Sequence, residues 1–420
     1  MSEDRPRTLT GRGRALLTCG ITLVLGGVLL GFPDITRIGV LLAALPLIAR
    51  LLARRRPPRL GIERTVSPSR LQPDERAEVT VDFANLGEKS TPLYLAEERI
   101  AYVLGDRPRF LLPRLESGAR RRLTYRVRCH ARGRHELGPI ALQQQDPFGL
   151  THVDLIVQSV GEVVVLPRIE ELGGGRPPGS GLGNEGETPQ MVALHGEEDV
   201  SIRAYHDGDD LRKVHWPATA HRGEMMVRQE DRPARRSAVL LLDSRREGHS
   251  GSGSHSSFEW AVSAIASIAV QLDQNGYTLH LAARETLLDG TVDQPRSAAE
   301  VVDILAVADL GTDREHDQLV QAAHGVTERG GSLVAAVSNL DDRSVSDLAG
   351  LRQPGTSSLA MVLDASAIGE GRRTTGPVAV AHCELLGSAG WRVVPVTSGI
   401  TARHAWESLT RSGTFAVGAR

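Results

Sequence analysis

Eighteen consecutive residues near the amino terminus, Ala15 to Phe32 (ALLTCGITLVLGGVLLGF), carry no charge. As a helix they would extend roughly 27 Å at about 1.5 Å per residue, enough to cross the hydrocarbon part of a bilayer. A second apolar run, Ile38 to Ala53, is interrupted only by Arg50 near its end, where a long side chain reaches the headgroups. The segment FPDITR between them is a short turn, so the pair reads as a transmembrane helical hairpin with helices at about 15–32 and 38–53. A cleaved signal peptide fits less well, because a second hydrophobic stretch follows at once and no clear A-x-A site is present. Arg5, Arg7, Arg12 and Arg14 precede the first helix and Arg54, Arg55, Arg56 and Arg59 follow the second, whereas the loop holds only Asp34 and Arg37. The positive-inside rule then puts both termini, and everything after residue 60, on the cytoplasmic side of the inner cell membrane.

With 420 residues, the chain has length left for further domains that each bury a core. Residues 1–59 form the membrane hairpin with its basic flanks. From 60 to 172 short runs alternate apolar and polar: Val79, Val81 and Phe83, then Leu123, Tyr125 and Val127, then VVVLP at 163–167. Period two with turn residues between runs predicts a small antiparallel β-sandwich. QQDPFGL at 144–150 reads as a turn between apolar anchors. Gly and Pro dominate 173–194, which have almost nothing to bury and read as a linker. A G-x-G there is no phosphate loop, since no strand feeds it.

After a charged segment at 195–236, residues 237–420 predict a doubly wound α/β domain. SAVLLLD at 237–243 is a buried parallel strand by its continuous apolar run, and YTLHLAA (277–283), SLVAAVS (332–338), SLAMVLD (358–364) and WRVVPV (391–396) follow it. Phe258, Val262, Ile265, Ala269 and Leu272 recur at helical spacing. Ligands of such sheets bind at the carboxyl ends of the strands, which directs attention to Asp243, Ser338 and Asp364. A strand ending in Asp before a loop and helix resembles the von Willebrand factor A fold, whose metal site uses D-x-S-x-S. Here the stretch reads Asp243-Ser244-Arg245-Arg246-Glu247. Asp243, Ser244 and Glu247 mark a degenerate metal-site position, because Arg245 offers a cation where a hard divalent ion needs oxygen.

Residues 202–232, IRAYHDGDDLRKVHWPATAHRGEMMVRQEDR, concentrate the remaining chemistry. Three readings compete. His206, Asp207 and Asp209 offer a metal-dependent hydrolase, with His215 or His221 completing a ligand set, but no helical H-x-x-x-D or H-x-x-x-H spacing accompanies them. Arg212, Lys213, Arg222 and Trp216 offer a nucleic-acid patch, but Asp207, Asp209 and Asp210 cancel much of its field. The formal net charge of −2 also removes any general basic field. The third reading is structural or docking: Gly208 in a tight turn, Asp209 and Asp210 capping a helix over DDLRKVHWPATA, Trp216 as an apolar anchor, and Arg203 and Arg228 on flanking extended segments pairing with the carboxylates. It is favoured because it accounts for each residue type. Three cysteines, Cys19, Cys129 and Cys383, have no C-x-x-C spacing and argue against a zinc site. No cofactor and no catalytic residue is expected.

The string R-x-Y-x-x-G-D-D-x-R-x-x-H-W, carried by Arg203, Tyr205, Gly208, Asp209, Asp210, Arg212, His215 and Trp216, resembles the signature of the bacterial "domain of unknown function 58" family. The resemblance extends to the amino-terminal hairpin, to Asp146-Pro147-Phe148-Gly149-Leu150, to GEMMVRQ and to GWRVV. It implies a von Willebrand factor A-like domain and a working association with MoxR-type AAA+ ATPases. The implied role is that of a membrane-anchored adaptor or assembly factor acting on an unknown client in protein maturation or at the envelope. His221 departs from the family's frequent arginine, and the Asp243 loop lacks the hydroxyls that some members retain.

Overall fold

The computed structural model of the chain describes residues 3–4, 8–52, 59–146, 148–175, 177, 200–204, 214, 216–230, 236–338 and 341–411. The fold is mixed α/β with several sheets and divides into two compact units. One comprises Met1–Ile169 with Ser252–His255 and Val302–Asp309, and the other comprises the rest.

In the first unit, the short strands β1 (Glu3–Asp4) and β2 (Thr8–Leu9) lead into α1 (Gly11–Leu30) and α2 (Pro33–Leu52). Both helices start earlier than the apolar runs alone suggest. Thr10 sets the start of α1, its hydroxyl accepting from the Gly13 amide, and Gly31 ends that helix in the left-handed region at φ 72°. The two helices pack closely because glycines line their contact: a Cβ on Gly20 would stand 2.6 Å from Ala43 N, and one on Gly39 would stand 2.7 Å from Val24 N. By length and composition α1 can cross a membrane, and it is the one described helix that meets that test. α2 has a comparable apolar middle, but Asp34, Arg37 and Arg50 sit toward its ends.

The β part follows as β3 (Leu60–Ser67), β4 (Arg70–Leu71), β5 (Arg76–Asn85), β6 (Tyr94–Ile100), β7 (Arg109–Leu112), β8 (Arg120–Arg128), β9 (Gly133–Gln145), β10 (Thr151–Val157) and β11 (Gly161–Val165). β3, β5 and β8 make one antiparallel sheet, and a second is built on β9, which β6, β10 and β11 flank. Alternation puts Val79, Val81 and Phe83 of β5 on the inner face, where they share one core with Tyr94, Leu112, Leu142 and Val163 of the other sheet. That core also encloses charge. Arg64 Nη2 lies 2.7 Å from Glu98 Oε1, with both side chains essentially inaccessible to solvent. Burial pushes the Glu98 carboxyl above its ordinary range in spite of Arg64, and burial with the Glu98 charge pushes the neighbouring Tyr125 phenol up.

The second unit contains the ribbon β12 (Val200–Ala204) and β13 (Met226–Glu230) with α3 (Trp216–Arg222) between them. Its parallel sheet and helices run β14 (Ser237–Leu242), α4 (Ser257–Gln274), β15 (Thr278–Ala282), α5 (Arg284–Leu288), α6 (Ala298–Ala306, whose residues from Val302 on count with the first unit), α7 (Asp313–Thr327), β16 (Ser332–Ser338), α8 (Asp342–Ala349), β17 (Ser358–Leu363), α9 (Ala365–Glu370), α10 (Pro377–Ser388), β18 (Arg392–Val396) and α11 (Ala402–Thr410). Strand order is β15-β14-β16-β17-β18, all parallel. Every residue of β16 and β17 is buried, which is why their sequences are continuous apolar runs. On one face Val239, Leu241, Ala335, Val337 and Val362 pack with Leu319, Val320 and Ala323 of α7 and Cys383 and Leu386 of α10. α4 buries Phe258, Val262, Ile265, Ala269 and Leu272, the residues read at helical spacing. Pro395 lies in the edge strand β18, where a missing N–H costs least.

Candidate functional site

In sequence order the sheet strands are arranged 2-1-3-4-5, so the direction of winding reverses between β14 and β16, the place where sheets of this kind bind ligands at their carboxyl ends. Asp243 follows β14 directly and Ser338 ends β16. Asp243 is fully buried, and the groups around it hold its carboxylate in place. The Arg245 guanidinium engages it with a two-pronged contact, Nε to Oδ1 at 3.1 Å and Nη2 to Oδ2 at 2.9 Å. The Arg245 amide donates to Oδ1 at 3.1 Å and the Ser338 amide to Oδ2 at 3.1 Å. Nη2 of Arg245 also donates to the Ser338 carbonyl at 2.9 Å, which ties β14 to β16. The Asp243 carboxylate is thus neutralised by a guanidinium two residues further along the chain.

Local pairing aims these groups. The Gly311 amide donates to the Ser244 carbonyl and the Arg246 amide to the Gly311 carbonyl, so the strand-end loop runs beside the start of α7. Thr312 and Glu315 form a capping box there, and the first turn of α7 brings the His316 Nδ1 to 3.4 Å from Asp243 Oδ1. On the other side His249 bridges Ser257 Oγ through Nδ1 and the Asp243 carbonyl through Nε2, each at 2.9 Å. Burial works against the charged form of Asp243, but the positive charges of His316 and Arg245 outweigh it and hold the carboxyl down at about 2. Burial pushes both His316 and His249 below the ordinary imidazole value. Arg245, whose guanidinium keeps its proton, is the standing cationic partner of Asp243.

A recess beside this cluster, with room for about one water, is lined by Ser244, Arg245, Arg284, Thr312, Glu315 and His316 among others. Ser244 Oγ and both ring nitrogens of His316 are buried there without a hydrogen-bond partner among the described residues. Glu247 is exposed in the short 3₁₀ turn Arg246–Gly248, and Ser338 Oγ donates to the Gly248 and Leu363 carbonyls. Asp364 caps α9, accepting from Ala367 N and Ser366 Oγ, and also accepts from Gly376 N. Among the described residues no group of three or more His, Cys, Asp or Glu is arranged to hold a metal ion.

Of the signature residues, the ribbon brings the strands of Arg203 and Arg228 together: Arg203 is opposite Val227 and Arg228 opposite Ile202. Tyr205, His206, Asp207, Gly208, Asp209, Asp210, Arg212 and His215 lie outside the described residues. Two expectations need correction. Trp216 is 69% exposed and is no apolar anchor, whereas Val214 and Met226, among the described residues of this segment, are buried. The helix over DDLRKVHWPATA is shorter than expected, since Val214 sits in an isolated bridge and α3 begins at Trp216, with Pro217 suited to its first turn. His316 and Arg245 as carboxylate partners join the site from residues that a motif reading passes over or treats as a defect.

Solved structures match only in small part. The CARDB domain of a Pyrococcus furiosus protein, solved in complex with di-metal ions, is 17% identical, covers 26% of this chain and 93% of its own, and has a TM-score of 0.19. The putative ApaA protein of Bordetella pertussis is 15% identical over 26% of this chain and 96% of its own, with a TM-score of 0.21. The DNA-bound alkylpurine DNA glycosylase AlkC of Pseudomonas fluorescens is 16% identical over 31% of this chain and 38% of its own, with a TM-score of 0.19. Overlaps this slight carry no argument about chemistry. No curated protein matches. Residues 201–344, which run from β12 through the Asp243 cluster to the start of α8, match the model of a family described as "Protein of unknown function DUF58".

Proposed function

We propose that the protein is a membrane-anchored docking platform, an adaptor that presents a client to a MoxR-type AAA+ ATPase, with its β-sandwich and its von Willebrand factor A-like α/β domain both on the cytoplasmic side. The observation that carries this reading is the closed strand-end site: Arg245 neutralises Asp243 from within, so the strand ends offer a fixed protein surface. The exposed apolar side chains of Leu25, Leu29, Leu41 and Leu51 support a two-helix anchor in lipid. Confinement to a membrane raises the effective concentration of two partners held on adjoining domains. The docking surface is assigned to the strand-end loops, where Arg246, Glu247, Asp342, Arg343, Arg372 and Arg373 are exposed.

Crosslinking and pull-down of the full-length protein from its native membrane should recover a MoxR-type ATPase. Recovery should drop at least about tenfold for the double variant Arg246→Glu/Arg373→Glu, as expected when charges at an interface are reversed. Equal recovery would place the ATPase elsewhere on the chain, and none at all would remove the adaptor reading. Orientation has its own check: a reporter fused after Arg420 should behave as cytoplasmic, and efficient activity on the far side of the membrane would overturn the assignment.

A further inference from the structure

The turn at 146–150 is built as the foot of the membrane anchor. Asp146 locks it, its Oδ1 accepting from the Thr151 amide at 2.5 Å and its Oδ2 from the Phe148 amide at 3.1 Å. The turn then clamps the start of α1: Thr10 donates from its amide to the Leu150 carbonyl at 2.9 Å and from its hydroxyl to the Gly149 carbonyl at 2.6 Å. A Cβ on Gly13 would stand 2.2 Å from the Leu150 carbonyl oxygen, so no side chain fits between helix and turn. This geometry leaves Phe148 69% exposed at the base of an apolar helix.

Strand register brings other apolar residues to the same end of the β part. Leu95 of β6 is opposite Gln143 of β9, close to the turn, and Leu95 also pairs with Leu111 of β7. Leu93 precedes β6, and the Leu86 amide donates to the carbonyl of Arg59, which lies a few residues beyond α2. The Asn85 side chain fastens these loops, donating to the carbonyls of Lys89, Leu115 and Glu116. Leu86, Leu93, Leu95, Leu111 and Phe148 are all exposed. Around them stand exposed Arg59, Lys89, Arg114 and Arg120, against Glu88 and Glu116.

We infer that this end of the β-sandwich rests in the membrane interface, with Phe148, Leu86, Leu93 and Leu111 dipping into the headgroup boundary and the basic residues facing anionic headgroups. Lipid is the occupant because the rim is continuous with the face from which α1 and α2 emerge. A 20-residue helix clamped at Thr10 must begin at headgroup depth, which sets the rim at that depth too. The inference rests on α1 being a membrane span.

The test places the full-length protein in phosphatidylcholine/phosphatidylglycerol vesicles whose acyl chains are brominated near the headgroup. Phe148→Trp and Leu111→Trp are compared with Tyr102→Trp, which lies in the β6–β7 connection at the far end, after subtraction of wild-type fluorescence. Native Cys19, exposed in the middle of α1, reports insertion by its protection from a membrane-impermeant maleimide. With Cys19 protected, fluorescence from positions 148 and 111 should be quenched about twofold and that from 102 unchanged. Equal, weak quenching at all three positions with Cys19 protected means that water or another protein covers the rim, and the inference fails. A reactive Cys19 in the vesicles means that α1 itself does not insert, and both readings fall.

Discussion

Arg245→Met is expected to lower the unfolding free energy by about 3–5 kcal/mol at neutral pH, because it leaves the Asp243 carboxylate buried without its cation. The double variant Asp243→Leu/Arg245→Met should recover most of that loss, since a buried pair replaced by apolar groups of similar volume is nearly neutral. The carboxyl of Asp243 is held down at about 2 in the folded chain, below its value of roughly 3.9 when unfolded. Its contribution is therefore present in full above about pH 4 and is lost as pH falls toward 2. Urea unfolding at pH 7 and at about pH 2.5 measures this, and the deficit of Arg245→Met should be smaller at the lower pH. A single variant as stable as wild type would mean that the two-pronged contact contributes nothing.

The Arg64–Glu98 pair in the β-sandwich should show the opposite asymmetry. Glu98→Gln leaves a guanidinium that cannot lose its proton, buried in an apolar core, and should cost about 3–5 kcal/mol at any pH near neutral. Arg64→Met leaves Glu98, which can relieve itself by taking up a proton. Burial already raises the Glu98 carboxyl above its unfolded value. A group raised in this way contributes stability that is complete below the unfolded value, roughly 4.3, and fades as pH rises through the folded value. The Arg64→Met variant should thus lose a similar amount at pH 7 and regain part of it by pH 5, whereas Glu98→Gln should not. Parallel pH profiles for the two variants would refute this account of the pair.

The α/β sheet was legible because fully buried parallel strands need apolar side chains on both faces, which leaves an unbroken run such as SLVAAVS at 332–338. In the sequence Arg245 read only as a cation unfit to ligate a metal; its pairing with Asp243 shows only once the strand-end loop is folded. His316 was not, because it reaches Asp243 only through the pairing of Gly311 with the strand-end loop and the first turn of α7. Arg64 and Glu98 left a signal that alternation alone exposes. Arg64 stands in phase with Leu60, Ile62 and Val66, and Glu98 with Tyr94, Ala96 and Ile100, so two charges occupy the apolar phase of strands that must face each other. Trp216 misled for the converse reason: a large aromatic in a charged segment invites an anchor role, but its place as the first residue of α3 leaves the ring in solvent.

The claim on which the rest depends is that the strand-end site is closed by its own arginine. Isothermal titration of the full-length protein with Mg²⁺ and with Ca²⁺ tests it directly, using Arg245→Ser and Asp243→Ala as comparisons. Wild type should show no binding tighter than about 1 mM, because the oxygen ligands of Asp243 are already taken by a cation, and Arg245→Ser should bind more tightly than wild type. Micromolar binding by wild type that disappears in Asp243→Ala would contradict the account.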